Sequence, residues 1–180
     1  MLTELFKTEE RAIILHYVMF RKSFRAVDVS RDTGVTKGLV SRYMHILEVH
    51  GLLKKRGREY SPQDGPRSRA IRLLLNLERI DLSTFSLGSA RGIGIYGSWA
   101  RGTNDQESDL DVWIKADSLP EQNILARLQR DLSLQTGSEV NLLMLTPERL
   151  ERLKIEDSPF YHSLMMNCVT LKGEMLEEYR

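Results

Sequence analysis

Asp109 and Asp111 stand two residues apart in the run Ser108-Asp109-Leu110-Asp111-Val112-Trp113-Ile114. In a strand, residues two apart point to one face, so the two carboxylates converge while Leu110 and Val112 face the other way. Two converging carboxylates suit a divalent cation. Just upstream lies Gly97-Ser98-Trp99-Ala100-Arg101-Gly102. Gly97 has no Cβ, so a phosphate can approach the backbone there, and the Ser98 hydroxyl adds a hydrogen bond. Arg101 can neutralise phosphate charge. Metal-binding acids beside a phosphate-binding turn describe a nucleotide site.

The elements that must position these residues are legible around them. Ile93-Gly94-Ile95-Tyr96 is a short apolar strand running straight into the glycine turn. Trp99-Ala100-Arg101 starts a helix whose N-terminus faces the same point, and Gly102-Thr103-Asn104-Asp105 leaves it and turns back. The stretch from Asp109 to Ile114 is a second strand. Pro120 to Thr136 reads as a helix with Ile124, Leu125, Leu128 and Leu132 as its apolar face, and Glu139 to Leu145 as a further strand.

These linked motifs resemble the nucleotidyltransferase superfamily that includes DNA polymerase β, especially its minimal branch. The family pattern is Gly-Ser, two residues, Arg-Gly, five variable residues, then Ser-Asp-x-Asp, and each defining position is matched between Gly97 and Asp111. The resemblance covers residues 88–175, with Ser158-Pro159-Phe160-Tyr161 and Val169-Thr170-Leu171 similar to the family's closing helix and strand. It implies transfer of a nucleoside monophosphate from a nucleoside triphosphate to an acceptor hydroxyl, with two Mg²⁺ ions when active. Asp109 and Asp111 would bind the metal; Gly97, Ser98 and Arg101 would bind the nucleotide. The family also uses a third carboxylate on a later strand, and here Asn141 stands at that position in Glu139-Val140-Asn141-Leu142. An amide can offer an oxygen to a metal, but it carries no charge and cannot act as a base. Glu139 is on the same strand face, yet two residues span about 6.5–7 Å, more than one extra methylene covers without a bulge. Asp105 and Glu107 lie at variable loop positions. Two readings stay open: a transferase, or a regulator whose degenerate domain binds nucleotide without turning it over.

The amino-terminal third carries a different signature. Thr8 caps a helix with Ile13, Ile14, Tyr17, Val18 and Phe20 at helical spacing; a second short helix fits Val27 to Thr33, closed by Gly34. Thr36 caps a third that runs to His50, with Gly51 as its stop. Val40, Met44 and Leu47 form its inward stripe, and Lys37, Ser41, Arg42 and His45 fall largely on another face. Lys54-Lys55-Arg56-Gly57-Arg58-Glu59-Tyr60 then reads as a basic hairpin. Residues 8–62 resemble a winged helix-turn-helix. That resemblance implies double-stranded DNA as partner, with the third helix in the major groove and Lys54, Lys55, Arg56 and Arg58 of the hairpin on phosphate or minor groove. Winged helices also serve as protein–protein modules.

Charge divides the same way. Residues 1–80 hold 16 Lys and Arg against 9 Asp and Glu, whereas residues 81–180 hold 10 against 16. A basic half beside an acidic half predicts two domains with different partners. No run of 18 apolar residues exists, which argues against a membrane span, and the start lacks a signal-peptide pattern. The lone Cys168 fits a reducing cytoplasmic setting. The expected architecture is α+β: a winged helix over 1–62, a linker helix over 63–81, and a nucleotidyltransferase-like domain with a small mixed sheet over 82–180. The linker helix, with Ile71, Leu74, Leu75 and Leu77 apolar, could pair with another copy. A homodimer, or a small helical partner protein by family analogy, completes the expected partners.

Overall fold

The computed structural model describes residues 2–83, 90–118 and 120–176; residues 84–89, within the expected second domain over 82–180, lie outside them. The fold is mixed α+β, with helices and two small sheets. It divides into two compact units, Met1–Leu75 and Asn76–Arg180.

The first unit opens with α1 (Leu2–Leu5) and α2 (Glu9–Met19). Thr8 caps α2, its hydroxyl accepting from Arg11 N at 3.4 Å. Then come β1 (Phe24–Arg25), α3 (Ala26–Thr33), α4 (Lys37–Val49) and the hairpin β2 (Leu53–Arg56) and β3 (Glu59–Pro62). The stripe Val40, Met44 and Leu47 is fully buried, as the spacing requires, and Tyr43 joins it with its hydroxyl donating to Leu5 O at 2.8 Å. Ile14, Leu15, Val18 and Met19 of α2 complete this core. Ile13 does not belong to it: it is 42% exposed, because the buried face is rotated towards Leu15 and Met19. The hairpin pairs Lys55 with Tyr60 and Arg56 with Glu59, and β1 adds a third antiparallel strand in which Phe24 stacks on Tyr60. Neither α1 nor β1 was expected.

Helix α5 (Pro66–Glu78) follows, and the division between the units falls inside it. Its residues Ile71 and Leu75 are buried, whereas Leu74 is 45% exposed.

The second unit is built on β4 (Ala90–Tyr96), the five-residue α6 (Gly97–Arg101), β5 (Leu110–Ala116), α7 (Gln122–Thr136), β6 (Val140–Leu145), α8 (Pro147–Glu156), α9 (Ser158–Asn167) and β7 (Val169–Gly173). The strand order is β6-β5-β4-β7. β5 and β6 run parallel, joined by α7 as a crossover, and the other pairs are antiparallel, so the sheet is mixed as expected. Leu128, Leu132 and Thr136 carry α7's buried stripe, while Ile124 at its start is 39% exposed. On one face of the sheet Trp113, Leu143 and Leu145 pack with Leu150, Tyr161 and Leu164 of the two unlike helices α8 and α9. Gly94 makes that packing possible: a Cβ there would collide with the Trp113 ring and with Val169 O of β7. Helix α8 was not expected; Thr146 caps it through Arg149 N, with Pro147 in its first turn.

Candidate functional site

The register of the sheet brings the site together. Asp111 is the partner of Tyr96 on β4 and of Asn141 on β6. Asp109 immediately precedes β5, where Leu110 N donates to Glu139 O at 2.8 Å. The three polar side chains meet: Asn141 Nδ2 lies 3.3 Å from Asp111 Oδ1 and 3.5 Å from Asp109 Oδ2. The predicted convergence of the two carboxylates is thus present, and the amide sits between them. A hydrogen-bond donor there offsets the repulsion of two like charges at short range.

Gly97 is built against the same cluster. Its φ is +69°, and a Cβ would strike the Asp111 carboxylate. Glycine is required twice over, by backbone conformation and by the acid packed on it. The chain enters α6 at Gly97, two residues before the predicted start. Ser98 is half-buried next to it, Trp99 and Ala100 are buried, and Arg101 is exposed at the helix end. Gly102 closes α6 at φ +63°, and Ser98 O accepts from Thr103 N at 2.9 Å.

The other acids considered from sequence do not converge with the pair. Glu139 precedes β6 and lines a cleft along α7 with Ala126, Gln129 and Arg130. Asp105 accepts from Glu107 N and from Ser108 Oγ, so it shapes the loop that leads to Asp109. Glu107 is exposed. Among the described residues no cluster of three or more His, Cys, Asp or Glu could hold a metal ion.

Four residues around the site were missed. Tyr96 is half-buried beside Asp111 and meets the Phe160 ring edge-on at 6.1 Å between centroids. Burial pushes its phenol up, the Asp111 charge adds to this, and Arg149 opposes it. Asn76 and Asn104 form a buried amide pair: Asn76 Nδ2 donates to Trp99 O at 2.9 Å and to Asn104 Oδ1 at 2.8 Å, and Asn104 Nδ2 returns a bond of 3.1 Å to Asn76 Oδ1. Arg79 lies over the Trp99 ring at 4.8 Å. A polar Asn76 among the leucines of α5 was the one hint of this in the sequence. Cys168 is half-buried and burial raises its thiol pKa, in keeping with an inert structural residue.

In the first unit Lys37, Ser41, Arg42 and His45 are all exposed on α4, and Lys54, Lys55, Arg56 and Arg58 are exposed on the hairpin. Lys55 Nζ lies 5.4 Å from the Tyr60 ring centre. Among the described residues no helix is long and apolar enough to cross a membrane.

With this geometry in place, residues 81–169 match the model of the nucleotidyltransferase domain family. No curated protein matches the chain. Among solved structures, a toxin–antitoxin crystallised with AMP-PNP is 19% identical over 62% of this chain and 76% of its own, with a TM-score of 0.36. A complex of the tri-AMPylated Shewanella oneidensis HEPN toxin with MNT antitoxin gives 17% identity over 57% of this chain and 73% of its own, with a TM-score of 0.37. The family match contains the glycine turn, both acids and Asn141 in one stretch. The chain therefore carries a nucleotidyltransferase domain at residues 81–169.

Proposed function

We propose that this domain transfers a nucleoside monophosphate from a nucleoside triphosphate to an acceptor hydroxyl, the new bond forming at the α-phosphorus as the bond to the β-phosphate breaks and pyrophosphate leaves. The observation that carries the reading is the meeting of Gly97, Asp111, Asp109 and Asn141 at one end of the sheet. Two carboxylates and an amide that can present oxygen are a hard donor set, which suits Mg²⁺ shared with substrate phosphates. Asp109 and Asp111 would hold it, with Asn141 turning its oxygen inward; when bound, the metal polarises phosphate oxygens for in-line displacement. Gly97 and Ser98 would hold the terminal phosphates, with Arg101 offsetting their charge. Asn141 cannot take the proton of the attacking hydroxyl, so that proton would leave through water or the acceptor's own groups.

One observation favours a second reading. The third acid is replaced by an amide, and no other acid joins the pair among the described residues. A domain of that kind can bind nucleotide and report on it without chemistry. Incubation with labelled nucleoside triphosphates, Mg²⁺ and candidate acceptors separates the two. Transfer that persists in Asn141→Ala and disappears in Asp109→Ala supports catalysis without a third acid. No transfer to any acceptor, together with nucleotide-dependent DNA affinity, rejects the first reading in favour of the second.

The first unit, on this proposal, is a winged helix that binds double-stranded DNA. The exposed basic groups of α4 and the hairpin support that reading, and phosphate contacts would make binding fall steeply with salt. Absence of duplex binding at low salt would remove it. A small partner protein is a natural acceptor to assay alongside nucleic acid.

A further inference from the structure

The proposed reaction needs the phosphate turn at Gly97-Ser98 and the acids at 109 and 111 to keep a fixed separation. Between them runs the loop from Gly102 to Ser108; buried amides tie its start to α6, and the Trp99 indole reaches its end. Asn76 and Asn104 are 0% and 1% exposed, among the few buried polar residues of the chain. The amide of Asn76 bonds the backbone of α6 at Trp99 and the side chain of the loop residue Asn104, which bonds back. Trp99 in turn directs its indole Nε1 at Ser108 O, at 3.4 Å, one residue before Asp109. All of these residues lie in the second compact unit.

We infer that Asn76 and Asn104 are positioning residues for the nucleotide site: they anchor α6 and the start of the loop, and so place Trp99, whose indole meets Ser108 beside the acids. This rests on the proposed function in that it requires a nucleotide to bind here. Three bonds close between two side chains and one carbonyl, so removing either amide leaves buried groups of the other without partners. The sheet register still pairs Tyr96 with Asp111, but α6 and the start of the loop, which set the orientation of the phosphate turn, lose their buried anchor. A residue of purely structural weight would lower the melting temperature and leave the affinity of the folded protein unchanged.

The experiment measures dissociation constants by calorimetry for ATP, GTP, CTP and UTP in turn, with Mg²⁺, at a temperature where each variant is fully folded. Asn76→Ala and Asn104→Ala are expected to weaken the best-bound nucleotide by roughly tenfold or more. The double variant should be no weaker than the worse single, since both disrupt one network. Asn104→Asp adds a pH test and serves where an alanine variant fails to fold. Its buried carboxylate cannot donate to Asn76 Oδ1, but its protonated form can. Its affinity relative to the native chain should therefore recover as pH falls. Native affinity in the folded alanine variants, or a pH-independent ratio for Asn104→Asp, would overturn the inference and leave the proposed function standing. If the native chain binds none of the four nucleotides, the proposed function falls and the inference with it.

Discussion

In the first unit the candidate contact residues are exposed side chains on a core that closes without them. In the second, Gly97, both acids and Asn141 are packed on one another. Lys37, Ser41, Arg42 and His45 are exposed on α4 outside the buried stripe of Val40, Met44 and Leu47, so replacing any of them should leave that core intact. Gly97, Asp111 and Asn141 sit in contact, so changing one displaces the next. The contrast separates two kinds of recognition. A charged surface acts by summation, and its parts add. A metal-and-phosphate site acts by geometry, and its parts fail together.

The largest expected effect follows from that coupling. Asp111→Ala removes a metal ligand and one acceptor of the Asn141 amide together. It should lower nucleotidyl transfer by about 10²–10³-fold, the scale of losing one such electrostatic group. A variant that keeps a tenth of native activity would place the chemistry elsewhere.

Gly97→Ala should come next. The left-handed backbone alone costs a non-glycine residue about 1–2 kcal/mol, and the added methyl must also push the Asp111 carboxylate aside. A lower melting temperature and weaker nucleotide binding are both expected. Loss of stability with native affinity would show that Gly97 does not set the phosphate turn.

The first unit should respond more gently. Lys37→Ala and Arg42→Ala should each weaken DNA binding without regard to sequence and lower the salt slope by about one. Their effects should add. Strong non-additivity would mean that this surface is as tightly coupled as the acid cluster.

The smallest effect concerns acid stability. Glu174 accepts from Arg91 and pairs with Lys115 at the far end of the sheet. The Arg91 guanidinium first, and Lys115 second, hold its carboxyl below the ordinary 4.5. A depressed folded value means that the stabilisation is fully present above 4.5 and is lost as pH falls through the lower folded value. Glu174→Gln should flatten that part of the curve in a melting series from neutral to acidic pH, leaving neutral activity unchanged.

Much of this was readable from spacing because short-range rules govern it. Alternation placed Asp109 and Asp111 on one face, and the stripe on α4 followed from its period. The glycine turn and the acid pair had to be linked motifs, since the strand–turn–strand geometry fixes their separation. What was missed depends on distant residues. Periodicity locates an apolar stripe but not its covered edge, so Ile13, at helical spacing, and Ile124, on the apolar face of its helix, are both exposed. Helix α8 buries little beyond Leu150, too weak a stripe to register. The Asn76 and Asn104 pair joins positions 28 apart, and nothing local distinguishes such residues from solvated amides.

The amide of Asn141 has one further consequence. Three carboxylates in that position would crowd negative charge that a cation or a shared proton relieves, and stability would then respond to metal supply. Two carboxylates bridged by an N–H donor are self-sufficient. This unit should accordingly reach its native state in a chelator, with a melting temperature that EDTA leaves unmoved, and Asn141→Asp should make the same transition rise with added Mg²⁺.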